Sequence, residues 1–180
     1  MSLPPSFPLT TGRVTVGNLS MKARQVISLE VEDKPGVLSR ISTLFSRRGY
    51  NVDSLTVGHT HQPGISRFTI VVQGDERTLE QIRKQSQKLI HVLTTTHLEK
   101  ESSVMREFAL VKLEYNEDTS QQINELVDLY GARMLDSTDG ALIVEFSGTE
   151  RKIDLVFEEL KELPVLESIR TGKLGMKIGK

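Results

Sequence analysis

The 180-residue chain carries 23 basic and 24 acidic side chains, a formal net charge of −1, and is 37% hydrophobic and 26% charged. That composition suits one globular domain or two small ones, and it lacks the basic excess that marks nucleic-acid binding. The absence of cysteine rules out disulfides, thiolate nucleophiles and cysteine-ligated metals, and no apolar run approaches the ~20 residues of a membrane span.

Residues 1–23 mix Pro, Ser, Thr and Gly with scattered apolar residues, and read as a flexible N-terminal extension. Arg13 and Lys22 with no acidic residue leave an organellar transit peptide as the alternative. The first strand is Arg24–Glu32, where Ile27, Leu29 and Val31 alternate with polar residues. Asp33-Lys34-Pro35-Gly36 breaks it. Val37, Leu38, Ile41, Leu44 and Phe45 then fall on one helical stripe, which Gly49 ends. Asn51–His59 and Ile65–Gln73 read as strands around a Pro63-Gly64 turn. A helix is predicted over Glu76–Ile90 and a fourth strand over Val92–Leu98. Strand, helix, strand, strand, helix, strand is the ferredoxin-like split βαβ order: an antiparallel sheet with both helices on one face.

Residues 100–105 are polar and read as a linker between domains spanning 24–99 and 106–180. The same order then returns. Arg106–Glu114 alternates like a strand, and Thr119–Tyr130 carries Ile123, Leu126, Val127 and Tyr130 at helical spacing. Ala132–Asp136 and Ala141–Ser147 form a hairpin around residues 137–140. Thr149–Leu163 reads as a helix and Val165–Thr171 as the last strand. The fold class is therefore α+β, with two βαββαβ domains in tandem. Each is small and leaves sheet edges open, so pairing with another subunit is expected.

The sharpest local feature is the Asp33–Leu38 loop. Pro35 removes a backbone donor, Gly36 admits close approach, and the first amides of the helix favour a carboxylate. Asp33 offers an acceptor to an ammonium group, so the loop suits an amino acid. Its simpler alternative is that Asp33 caps the helix and Pro-Gly only turns the chain. His59 and His61 share a strand face, but no third ligand stands beside them in the pattern. Ser39, Ser42 and Ser46 pair with no His–Asp motif, and no phosphate loop is present, so no catalytic site is expected.

VEDKPGVLSRI (31–41) resembles the ligand loop of ACT domains, a family of small-molecule sensors. LFSRRGYNVDSLTVG (44–58), PGISRFTI (63–70) and GDERTLEQIRKQSQKLI (74–90) are similar to acetolactate synthase small subunits. So are VMREFALVKL (104–113) and SIRTGKLGM (168–176). The resemblance implies a regulatory, non-catalytic subunit of branched-chain amino acid biosynthesis that forms a homodimer through its ACT domains. Valine is the implied effector, sometimes leucine or isoleucine, bound between two ACT domains. The implied contacts are Asp33, Lys34, Pro35, Gly36, Val37 and Leu38 of one subunit. Asn51, beside Val52, would reach in from the neighbour, and Gly58 and Gln81 match further positions tied to the valine response. Relatives often carry asparagine where this chain has Asp33. The implied partner is the catalytic large subunit, which holds thiamine diphosphate, Mg²⁺ and FAD; this chain holds no cofactor. The expected location is the cytoplasm, with plastid or mitochondrion as alternatives. The rival functions are a free-standing amino-acid sensor acting on another partner, and an independent enzyme of ferredoxin-like fold.

Overall fold

The computed structural model describes residues 23–179. The extension expected over residues 1–23 lies outside them except for Ala23, which opens the first strand. The first half runs β1 (Ala23–Glu32), α1 (Val37–Arg47), β2 (Asn51–His59), β3 (Ile65–Gly74), α2 (Glu76–Ser86) and β4 (Val92–His97). Its sheet has the order β2-β3-β1-β4, with all pairs antiparallel.

Alternation in β1 decides which face is covered. Ile27 lies opposite Ile70 and Leu29 opposite Phe68. These residues bury against Val37, Ile41 and Phe45 of α1 and Ile82 of α2 in one cluster. Asp75 caps α2, its side chain accepting from the Thr78 amide at 2.8 Å. The helix ends at Ser86, four residues before the predicted Ile90. Successive turn bonds from Leu89 to Ser86 and from Val92 to Leu89 replace it. They turn the chain back toward β1 while keeping Leu89 on the core and leaving Ile90 in water.

The second half repeats the pattern: β5 (Ser103–Glu114), α3 (Ser120–Tyr130), β6 (Arg133–Thr138), β7 (Ala141–Gly148), α4 (Glu150–Glu159), a 3₁₀ turn (Leu160–Glu162) and β8 (Val165–Arg170). The sheet order is β6-β7-β5-β8, the same arrangement as the first. Phe146, Val111, Leu142 and Ile153 lie in its core. The hairpin is tighter than expected: β6 runs to Thr138, opposite Ala141. Only Asp139 and Gly140 turn, both at positive φ (53° and 74°), as a primed two-residue turn requires.

Two elements differ from expectation around the junction. β5 begins at Ser103, inside the polar stretch 100–105 read as a linker. It does so because an unpredicted strand, β9 (Leu174–Lys177), pairs with Ser103–Arg106. Gly175 lets β9 pass close over Leu98, where a Cβ would lie 2.5 Å from Cδ1. Val26, Val71 and Leu98 of the first half meet Met105 of β5 in a small cluster on the sheet face away from α1 and α2. The first sheet's second face is thus partly covered by the chain's own C-terminal half. Among the described residues the edge strand β2 pairs with β3 alone.

Candidate functional site

The β1–α1 loop is fixed at its entrance by backbone bonds. Glu32 donates to the His91 carbonyl (2.9 Å) and Asp33 to that of Gly64 (2.8 Å). Gly36 stands at the helix N-cap with φ 82° and ψ −1°, and no side chain caps the helix. The expectation that Asp33 caps α1 is therefore not met. Its half-exposed carboxylate lies 3.6 Å from Nδ1 of His59, a nitrogen that also sits 3.3 Å from the Ser66 hydroxyl. The Val37 amide donates to the Lys34 carbonyl at 3.3 Å, and the first intrahelical bond runs from Arg40 to Gly36. Between them, the amides of Leu38 and Ser39 find no backbone partner or side-chain cap among the described residues. Apart from its own chain neighbours, no atom of the described residues lies within 4 Å of where a Gly36 Cβ would stand. The loop thus offers free amides at the positive end of a helix, open space over a glycine, and a carboxylate nearby. Lys34 and Pro35 are exposed on its outer side.

The other expected residues divide between the two ends of β2. Gly58 lies opposite Arg67, beside His59, at the loop's end of the strand. Asn51 lies opposite Gln73, seven residues and about 23 Å away along the strand. Its amide donates to Asp53 at 3.3 Å. Gln81 is exposed on α2 and accepts from the Tyr50 hydroxyl at 3.5 Å, so it belongs with Asn51 and Val52. One chain therefore brings the loop together with Gly58, and Asn51 and Val52 together with Gln81, but not the two groups with each other. Tyr50 was missed from sequence, and His59 was read only with His61 as an incomplete metal pair and not as a neighbour of the loop. Their signal was adjacency to Asn51 and Gly58, and Tyr50 is further held edge-on against Phe45 at 5.8 Å.

A groove of about 270 Å³ runs between α1 and β2, lined by Ile41, Phe45, Tyr50, Val52, Leu55 and Ile70. Of its lining Val52 and Leu55 are each 38% accessible, and Leu38 of α1 and Val57 of β2 are likewise exposed on these two elements. On the sheet's opposite face Glu30 pairs with Arg67. The Arg67 guanidinium holds the Glu30 carboxyl below its usual 4.5; burial opposes this and the Thr94 hydroxyl assists it. Among the described residues no group of three or more His, Asp or Glu side chains is placed to hold a metal. His91, in the turn before β4, sits 3.0 Å from the Glu32 carboxylate, and His97, the last residue of β4, sits 3.0 Å from Gln25. No described helix is long and apolar enough to cross a membrane.

Comparison with known proteins covers both halves. Residues 27–94 match the family described as the AHAS small subunit-like ACT domain, and residues 106–179 the one described as the small subunit of acetolactate synthase. The chain is 42% identical over 155 residues to a probable acetolactate synthase small subunit of Methanothermobacter thermautotrophicus, covering 86% of this chain and 92% of that one. It is 42% identical over 153 residues to the acetolactate synthase small subunit of Mycolicibacterium smegmatis, covering 85% and 90%. The crystal structure of the acetolactate synthase small subunit from Thermotoga maritima superposes with a TM-score of 0.82 at 37% identity, over 88% of this chain and 99% of that one. With the duplicated fold and relatives matched across most of its length, the chain belongs to the acetolactate synthase small-subunit family, its N-terminal half being an ACT domain.

Proposed function

We propose that this chain is the feedback sensor of a cytoplasmic acetolactate synthase. It dimerises through its ACT domains, binds valine or a close relative at that interface, activates the catalytic large subunit and makes it sensitive to the effector. The observation that carries this is the α1 N-terminus. The Leu38 and Ser39 amides lack partners among the described residues, and the Asp33 carboxylate lies on the same loop. An amino acid's carboxylate meets the amides and the helix dipole, its ammonium meets Asp33, and a small aliphatic side chain meets Leu38 and Val57.

The open edge of β2 supports the dimer. Two antiparallel copies paired through this edge place Asn51 of one against the Gly58–His59 end of the other. That joins the two groups of residues which a single chain keeps apart. It also covers the apolar residues along the α1–β2 groove and satisfies an open edge. The thiamine diphosphate, Mg²⁺ and FAD of the reaction belong to the catalytic partner, and this chain supplies the switch. Regulation then requires the effector to prefer one state of the complex.

The test is calorimetric titration of the full chain with valine, leucine and isoleucine, beside assays of the complex reconstituted with the catalytic subunit. Saturable binding, activation by the chain, and inhibition by the same amino acid are expected. A complex that is neither activated nor inhibited overturns the proposal. Binding without any effect on the catalytic subunit favours the free-standing sensor.

A further inference from the structure

The edge strand β2 is fastened on its other side to the C-terminal domain. Asp53, near the start of β2, accepts from the Asn51 amide (3.3 Å) and the Gln73 amide (2.9 Å), and pairs with Nε of Arg24 (2.9 Å). Nη1 of the same guanidinium reaches Glu150, the first residue of α4, at 2.7 Å. The second oxygen of Glu150 takes the ammonium of Lys173 at 2.7 Å, and Lys173 is buried just before β9. The result is a row of alternating charges, Asp53, Arg24, Glu150 and Lys173, crossing from one domain to the other.

Two neighbouring contacts land on the same segment. The Thr56 hydroxyl donates to the Thr171 carbonyl at 2.8 Å. Gly172 lies so close to β2 that a Cβ there would stand 2.7 Å from that of Ser54. Beside these contacts the domains leave a cavity of about 780 Å³, lined among others by Arg24, Leu98, Met105, Glu150 and Lys173. On this side the junction combines these ion pairs with a small apolar cluster, Val26, Val71, Leu98 and Met105, around open space. Such a contact can shift in small steps without breaking a packed interior.

We infer that Arg24 is the positioning residue that carries effector occupancy from the ACT domain to the C-terminal domain. The inference rests on the effector lying at the β2 edge, as proposed above. The Asn51 amide has two alternatives, Asp53 of its own strand or an effector across the dimer interface. When it turns to the effector, Asp53 loses one of its three donors and draws the guanidinium more strongly. The fork that Arg24 spreads between Asp53 and Glu150 then rebalances. Glu150 and Lys173 move with it, and so do α4 and β9, which carry the change to the far domain. Arginine is needed because one planar group presents Nε to one carboxylate and Nη1 to another, and an ammonium cannot span both in that geometry.

The test compares the full chain with Arg24→Gln and Arg24→Lys, each reconstituted with the catalytic subunit. Valine affinity is read by calorimetry, inhibition by assay, and amide exchange of residues 150–152 and 171–178 by mass spectrometry with and without valine. Both variants are expected to bind valine as the unaltered chain does and to activate the partner. The coupling between valine and catalysis, about 5–150-fold in typical allosteric pairs, falls toward onefold in both. Valine then no longer changes exchange in either segment. Arg24→Lys keeps the charge, so its failure isolates the fork from simple electrostatics. Unchanged inhibition in both variants overturns the inference, as does loss of valine binding itself, which would make Arg24 a support of the site. Absence of valine binding and inhibition in the unaltered complex removes the effector proposal first, and this inference with it.

Discussion

The two halves repeat one fold, and their first loops show how a shared scaffold is closed in one copy and left open, at the proposed effector site, in the other. Each loop places an Asx residue four positions before its helix begins, Asp33 before Val37 and Asn116 before Ser120. In the second half the Asn116 side chain accepts from the amides of Asp118 (3.0 Å) and Thr119 (3.1 Å), and the Thr119 hydroxyl donates to the Glu114 carbonyl (3.0 Å). The loop closes on itself, and Glu117 and Asp118 would repel an anion there. In the first half the residue corresponding to Asp118 is Pro35, which has no N–H to give, and the one corresponding to Thr119 is Gly36, which has no hydroxyl. Asp33 is left to point outward. The Gln121 and Gln122 amides, like those of Leu38 and Ser39, have no partner among the described residues, so the halves differ in the turn and its carboxylates and not in the amides. Two residue types convert a closed Asx turn into a loop that can receive a ligand.

The largest effect expected separates the two cores. Phe146 is fully buried in a cluster confined to the C-terminal half. Phe146→Ala should destabilise that half by about 3–5 kcal/mol. Urea unfolding should show the loss, while calorimetry should still find effector binding by the N-terminal half. Loss of both together would show that the domains unfold as one unit.

Next is Gly36→Asp, which places a charged side chain in the open space over the glycine and holds it at φ 82°. Effector binding should vanish in calorimetry, with about 1 kcal/mol of stability lost to the left-handed backbone. The mirror change, Gly131→Ala at the φ 55° terminus of α3, should lower stability comparably and leave binding intact. The sharpest test of the loop comparison is Pro35→Ala. Restoring an N–H lets Asp33 form the turn that Asn116 forms. The expected weakening of effector binding is about fivefold, the net worth of one hydrogen bond near 1 kcal/mol. Affinity that is unchanged or stronger would show that proline does not keep Asp33 free.

Most of the architecture was legible in the sequence because period-two strands and helical stripes are local. Ile27, Leu29 and Val31 announce β1, and Ile123, Leu126 and Val127 announce α3, whatever lies elsewhere. β9 was not legible. Its four residues, Leu-Gly-Met-Lys, have no period of their own and become a strand only because Ser103–Arg106 lie alongside. The early start of β5 was hidden for the same reason. In the site, Gly36 and Pro35 announced the loop through backbone chemistry. The separation of Asn51 from that loop was invisible until β2 had a direction and a length. Arg24 read as an ordinary first residue of a strand, since nothing local links it to Glu150, which lies 126 positions away.

The smallest effect is a difference in acid sensitivity between the two sheets. In the first, Glu30 on the central strand β1 pairs with Arg67 and accepts from the Thr94 hydroxyl at 3.1 Å. In the second, the polarity is reversed. Lys112 on β5 meets Glu167 on the edge strand β8 at 3.3 Å, and the Glu167 side chain is 75% exposed. Because Arg67 holds the folded Glu30 carboxyl below 4.5, protons bind it more readily in the unfolded chain. Its contribution is complete above that value and is lost as the pH falls through the lower folded value. Urea midpoints measured from neutral pH down to pH 3 should therefore decline less steeply for Glu30→Gln than for the unaltered chain. Glu167→Gln should change little, because an exposed pair is screened by water. Equal acid profiles for the unaltered chain and Glu30→Gln would mean that the Glu30–Arg67 pair persists in the unfolded chain or adds nothing to the folded one.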